Sequence, residues 1–187
     1  FSKLPSLGPR ASTRLAFYIT NLDRQSFDVI KNAFSDLKTL NKCKNCFFVK
    51  ETAQALCAIC SNSNRNKKII AIVEKETDLL SIEKSGAFKG SYFIIGELND
   101  KDVVSSNQKL RLQYLKTRIR KEIESKAEEV IVALNPNALS DVLYEMIKDE
   151  FKNLTAKITR LGRGIPTGGE IEFADEETLN QALERRT

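Results

Sequence analysis

The chain has 187 residues, 41% of them apolar and 29% charged, with a formal net charge of +5. This is the balance of an ordinary soluble globular protein, long enough for one large core or for a core with small appendages. Apolar runs such as "IIAIV" at 69–73 are far too short to span a bilayer, no secretory signal is visible, and the lack of any histidine excludes His-dependent triads and the commonest general base.

The chain starts at Phe1 rather than Met, which reads as a trimmed N-terminus. Charge is unevenly spread. Residues 1–68 carry 12 Lys/Arg against 4 Asp/Glu, and the remainder 18 against 21. A basic front and a slightly acidic back suit an anion-binding module joined to something else, and the local surplus exceeds what solubility requires.

In "LPSLGPRASTRLAFYIT" (4–20) turn residues lead into a helix, with Leu15, Ile19 and Leu22 at i, i+4 and i+7. Phe27, Ile30, Phe34 and Leu37 mark a second helix. The cysteine segment 43–60 follows. "NSNRNKK" (62–68) is polar and reads as a linker. Strands and helices then alternate. "KIIAIV" (68–73) is a buried strand, "ETDLLSIEKSG" (76–86) a short helix stopped by Gly86, and "SYFIIG" (91–96) a strand. Residues 97–108 read as a polar loop. Leu112, Leu115, Ile119 and Ile123 stripe the next helix, with Lys116, Arg118, Arg120 and Lys121 expected mostly on its wet faces. "EVIVAL" (129–134) is a strand, "LSDVLYEMIKDEF" (139–151) an amphipathic helix and "AKITRL" (156–161) a strand. After a glycine-rich loop a last short helix starts at the N-cap Asp175. Apolar strands separated by helices argue for an α/β fold with a mostly parallel sheet covered on both faces.

All four cysteines lie in the pattern C-x2-C-x10-C-x2-C: Cys43, Cys46, Cys57 and Cys60. Two such knuckles converge on a tetrahedral sulfur site, which suits zinc. Disulfides would need an oxidising compartment, and a redox couple needs only one CxxC. A site with four protein ligands leaves no position for water, so its role is structural. Metal binding would supply on the order of 10 kcal/mol to fold a small projecting module.

"LPSLGPR" (4–10) running into a helix resembles the hairpin of a helix-hairpin-helix, which presents backbone N–H groups and a helix N-terminus to a DNA phosphate. Gly8 would permit close approach and Pro9 suits the first helical turn. Arg10 and Arg14 are four apart and share a face, where they could grip one strand without reading sequence. The usual motif has glycine where Ser6 stands. An ordinary Pro/Gly turn capping a helix is the alternative for this stretch.

Glu74 directly follows "IIAIV", at the carboxyl end where open α/β sheets place ligands. The strand–helix layout resembles a Toprim (topoisomerase–primase) domain. Those enzymes carry an Asp-x-Asp after a later strand to hold magnesium, and this chain has "NPN" at 135–137. Amides bring no charge, so Glu74 alone makes a poor magnesium site. "GRGIPTGGE" (162–170) is neither a P-loop nor G-x-G-x-x-G, and reads as a shaped loop that meets another subunit or the zinc module.

Together, "LPSLGPRASTRLAFYI", the doubled CxxC with "CAICSNSNR", "IIAIVEKETDLLSIEKSG" and "TRLGRGIPTGGEIEFADEETLNQALERR" resemble the bacterial RecR recombination-mediator family over essentially the whole chain. The resemblance implies a helix-hairpin-helix over 1–40 lacking its first helix, a four-cysteine zinc module over 41–64, a Toprim domain over 65–162 and a C-terminal segment over 163–187. It implies a cytoplasmic, nucleoid-associated, non-catalytic DNA clamp in recombinational repair that forms dimers or tetrameric rings. Its partners would be RecO and RecF, helping to load RecA on gapped DNA. By position, Cys43, Cys46, Cys57 and Cys60 would hold zinc, Arg10 and Arg14 would contact DNA, and Glu74 would belong to the partner-binding face. The segment after Asn135–Pro136 lacks the acidic residues expected there. The rival readings are a Toprim nuclease or primase-like enzyme using Glu74 with magnesium, and a zinc-stapled protein-binding module.

Overall fold

The computed structural model describes residues 1–98, 104–123, 126–162, 164–184 and 186. Residues 99–103 of the loop expected over 97–108, and Arg163 in the glycine-rich stretch, lie outside the described residues. The chain forms two compact units, one of Phe1–Asn41 with Lys50–Ala53, the other of Lys42–Val49 with Gln54–Thr187.

The first unit holds helices α1 (Pro9–Thr20) and α2 (Arg24–Asp36), the latter followed by a 3-10 turn, Leu37–Thr39. Pro9 occupies the first helical turn of α1, and the Asp23 carboxylate caps α2 by accepting the Ser26 N–H at 2.9 Å. Leu22 falls beyond the cap Asn21, so the third position of the expected stripe lies in the turn. Ser6 stands at φ 65°, the left-handed conformation for which the usual hairpin keeps glycine. A serine there costs about 1–2 kcal/mol, which explains why the motif favours glycine. Both helices are amphipathic, yet their apolar faces are not enclosed. Phe17, Tyr18, Phe27, Val29, Phe34 and Leu37 are all exposed, and Ser12 is the buried residue of the pair.

Two short strands, β1 (Asn41–Lys42) and β2 (Val49–Lys50), pair with each other where the chain crosses from one unit to the other. In the second unit a single turn of helix, α3 (Ala58–Ser61), precedes the alternating elements β3 (Asn66–Val73), α4 (Glu76–Ser85), β4 (Gly90–Ile94), α5 (Ser106–Glu122), β5 (Ala127–Ala133), α6 (Ala138–Phe151), β6 (Thr155–Arg160) and α7 (Glu176–Glu184). The four longer strands form one parallel, Toprim-like sheet in the order β4-β3-β5-β6.

Alternation along the strands sorts the core into two layers. Ile70, Ile72, Phe93, Val130 and Val132 pack with Leu112, Leu115 and Ile119 of α5 and Leu143, Ile147 and Phe151 of α6. Ala71, Val73, Tyr92 and Ile94 face the other way, against Leu79 of α4 and, in part, Phe47, Phe48 and Ile59 of the cysteine segment. This second face is less completely covered. An apolar groove of about 520 Å³ remains between Ile82, Phe88, Ile131, Ala133 and Leu161.

Two expectations need correction. The stretch 62–68 is no free linker, because β3 begins at Asn66 and Arg65 is clamped. The Arg65 guanidinium donates to both Glu83 carboxylate oxygens, at 2.6 and 2.9 Å, and to the carbonyls of Gly90 and Phe88. A planar five-donor fork in a strand-to-strand corner satisfies four acceptors at once, which a flexible tether could not. Arg118, expected on a wet face, is buried at 5% exposure.

A candidate metal centre on the sheet edge and a closed carboxylate site

The two CxxC turns bring four sulfurs together. Their ligand atoms lie within 4.8 Å of one another, and all four residues are buried. Cys46 and Cys57 Sγ are 3.6 Å apart. A tetrahedron with metal–sulfur bonds of about 2.3 Å has edges of about 3.8 Å, so this spacing fits a shared metal. It is far too long for a disulfide bond of about 2.05 Å. Among the described residues no other cluster of Cys, Asp or Glu of this kind exists. In the protonated cluster the Cys46 thiol is pushed far above its ordinary value by hydrogen bonding to Cys57 and Cys60 and by burial. Cys57, on which those bonds converge, is driven far down. Four buried sulfurs converging on one point fit a structural metal with no open coordination position.

Local backbone bonds build the knuckles. Phe47 N–H donates to the Cys43 carbonyl at 3.0 Å, Cys43 N–H to the Phe48 carbonyl at 2.8 Å, and Cys57 N–H to Cys43 Sγ at 3.3 Å. Phe47 takes φ 64°, a left-handed conformation that is costly for an aromatic residue. Its ring is held from three sides. Phe93 and Tyr114 pack edge-on, each at 5.5 Å between centroids, and the Arg111 guanidinium lies 4.7 Å above it.

The cysteine segment therefore does not project as a separate appendage. It caps β4, the outer strand of the sheet. Ile94 N–H donates to the Cys46 carbonyl at 3.0 Å, Arg111 donates to the Ile94 carbonyl at 3.0 Å, and Arg118 Nη1 donates to the Asn45 carbonyl at 2.7 Å. The physical reason is the edge itself, since an uncovered outer strand leaves backbone groups unpaired and invites mispairing. Arg111 and Arg118 went unrecognised as structural. The available signal was their spacing of seven, which sets both beside the buried stripe of α5.

At the carboxyl end of the sheet, Glu74 is buried at 8% exposure. Its Oε1 accepts the Leu98 N–H and its Oε2 accepts the Asn135 side-chain amide, each at 3.1 Å. The residue that stands where a second carboxylate would be is thus the donor that satisfies the first. Asn137 is spent as the N-cap of α6, accepting the Ser140 N–H at 2.9 Å. Asp141 is engaged by Arg160 at 2.6 Å, with the guanidinium 3.7 Å above the Tyr144 ring. Beside these groups lies a cavity of about 410 Å³ lined by Asn135, Ser140, Arg160, Gly164, Asp175 and Thr178. The glycine-rich stretch thus borders the carboxyl ends of its own sheet. Asp175 caps α7 as expected, accepting the Thr178 N–H at 2.8 Å.

In the first unit Arg10 and Arg14 are both exposed on α1 and line a shallow groove with Pro9 and Thr13. Neither forms an ion pair among the described residues. A Cβ at Gly8 would meet nothing within 4 Å, so the space before this helix is open to an approaching group. No described helix is long and apolar enough to cross a membrane.

Comparison with known proteins bears on the whole chain. A family model described as "RecR, C-terminal" matches residues 164–187. A Recombination protein RecR of Herpetosiphon aurantiacus is 35% identical over 188 positions, covering 100% of this chain and 89% of that protein. Proteins of the same name from Clostridium perfringens and Prochlorococcus marinus are 37% and 38% identical, each covering 100% of this chain and 92% of its own length. With similarity of this degree running from end to end, the chain belongs to the RecR family.

Proposed function

We propose that the protein is a non-catalytic DNA clamp and adaptor in recombinational repair, acting in the cytoplasm with RecO and RecF to help load RecA at gapped DNA. The observation that carries this reading is the state of the carboxylate site. Glu74 is committed to Leu98 and Asn135, Asn137 to a helix cap and Asp141 to Arg160. Magnesium-dependent cleavage or synthesis needs carboxylates free to ligate a hard cation. Here the carboxylate oxygens are already taken up by protein donors, which suits a platform for holding a partner.

In this reading Cys43, Cys46, Cys57 and Cys60 hold zinc, which fixes the edge of the platform. Arg10 and Arg14 contact DNA phosphates beside the α1 N-terminus, where charge and dipole both favour an anion. Glu74 orders the loop through Leu98 and so shapes the partner-binding face. The chain is organised as a hairpin (1–40), a metal module (41–64), a Toprim platform (65–162) and a tail (163–187). A second copy covers the open apolar faces of α1 and α2, giving a dimer or a ring. Support for that comes from Phe17, Phe34 and Leu37, which are 65%, 53% and 59% exposed on helices too short to fold alone.

The test is DNA binding by fluorescence anisotropy across a salt series. Wild-type affinity should fall steeply with salt and vary little with sequence. Arg10→Ala/Arg14→Ala should weaken binding at least about tenfold and flatten the salt slope by about two, with the fold intact. Unchanged affinity in the double variant would remove the assigned contact face.

A further inference from the structure

Among the described residues Arg118 is the only buried cation. Its two hydrogen bonds go to neutral acceptors, the Asn45 carbonyl at 2.7 Å and Ser91 Oγ at 3.4 Å. No ion pair links it to a carboxylate among the described residues. Glu122, one turn further along α5, borders the same crevice but is solvent-exposed and forms no ion pair with Arg118. A buried charge with no carboxylate in ion-pair contact is among the most unfavourable arrangements in a protein interior.

The surroundings of Arg118 supply a negative group of another kind. Asn45 sits between Cys43 and Cys46 in the first knuckle. A crevice of about 40 Å³ beside it is lined by Cys60 of the second knuckle together with Arg65, Lys67, Ser91, Arg118 and Glu122. Four thiolates around one divalent ion make a doubly negative centre. Within a buried site such charges are only weakly screened.

We propose that Arg118 is the counter-ion and positioning residue of the metal centre, an inference that rests on the reading of the four cysteines as a zinc site. It acts in two ways. Its charge offsets the negative tetrathiolate. Its Nη1 also fixes the Asn45 carbonyl, while the Ile94 N–H fixes the Cys46 carbonyl at 3.0 Å. The second sulfur ligand is thereby held through the carbonyls on both sides of its own Cα. Both effects favour the loaded cluster over the empty one. Without metal the cluster loses most of its charge, and Arg118 becomes an uncompensated burden.

The measurement is zinc transfer from the full chain to a chromophoric chelator, with zinc content by elemental analysis and urea midpoints for the loaded and zinc-free protein. Arg118→Met removes charge and fork at similar length. It should lower zinc affinity about 10–100-fold, the usual range for groups that orient metal ligands. Arg118→Lys keeps the charge and should lose only a few-fold. The sign of the stability change should also depend on zinc. Arg118→Met lowers the midpoint of the loaded protein and leaves that of the zinc-free protein unchanged or raised. An equal drop in both forms, or unchanged zinc transfer, overturns the inference. So does a lysine variant that releases zinc as fast as the methionine variant, or more than about 100-fold faster than wild type if the methionine variant does not fold. A wild-type chain that carries no metal would overturn the zinc reading itself, and this inference with it.

Discussion

Restoring a carboxylate beside Glu74 tests the reading of the sheet end most directly. In wild type the Asn135 amide donates to Glu74 Oε2 at 3.1 Å, at a residue that is 8% exposed. Asn135→Asp replaces that donor with a second anion at nearly the same distance. Two unit charges at this separation repel by about 5 kcal/mol at an effective dielectric of about 20. The pair can avoid the repulsion by retaining one proton. At about pH 8 that costs roughly four pKa units, again about 5 kcal/mol. The expected loss of stability at pH 8 is therefore about 3–5 kcal/mol. The shared proton has a raised pKa in the folded state, so the folded chain binds more protons than the unfolded one. Stability must then fall as pH rises, and the deficit should shrink to about 1–2 kcal/mol near pH 5. Two facing carboxylates can also ligate a hard cation, so magnesium should restore stability to the variant and not to wild type. Urea denaturation at pH 5 and pH 8, with and without magnesium, reads all of this. A variant as stable as wild type at pH 8, with no response to magnesium, would refute the claim that Asn135 closes the site.

Two further outcomes follow from the second unit. Glu83 is held below its ordinary value of 4.5 chiefly by its hydrogen bonds from Arg65, whose side chain is only 9% accessible. Because Glu83 is itself a third exposed, Glu83→Gln should cost a discounted ~2 kcal/mol at neutral pH. A depressed carboxylate contributes stability above its unfolded pKa and loses it as pH falls. The gap between wild type and variant in urea midpoint should thus persist at pH 5 and close only well below 4.5. If the four cysteines hold a metal as proposed, its removal should free the cap on β4. The Ile94 amide, whose acceptor is the Cys46 carbonyl, should then exchange with deuterium much faster, while Ile72 in the interior strand β3 stays protected. Equal protection of Ile94 before and after chelation would mean that the edge is covered without the cluster.

The element order was legible because it is written in local periodicity. The spacing of Leu112, Leu115 and Ile119, the β-branched runs of β3 and β5, the stop at Gly86 and the cap at Asp175 each depend on near neighbours. The doubled CxxC was legible for the same reason, since two short turns and four sulfurs leave little geometric freedom. Boundaries blurred where a distant group intervened. Arg65 looked like linker because its partner, Glu83, lies 18 residues away. Arg118 looked like surface because its acceptor, Asn45, lies 73 residues away.

By itself the sequence determined the parallel α/β order, the four-sulfur site and the exposed arginine pair on α1, since spacing along the chain is enough to specify each. Tertiary structure alone decided that the cysteine segment caps β4, that Asn135 satisfies Glu74, and that a buried guanidinium stands beside the sulfur cluster. These depend on which strand lies at the edge and on partners 61 to 73 residues away, which no local pattern of residues encodes.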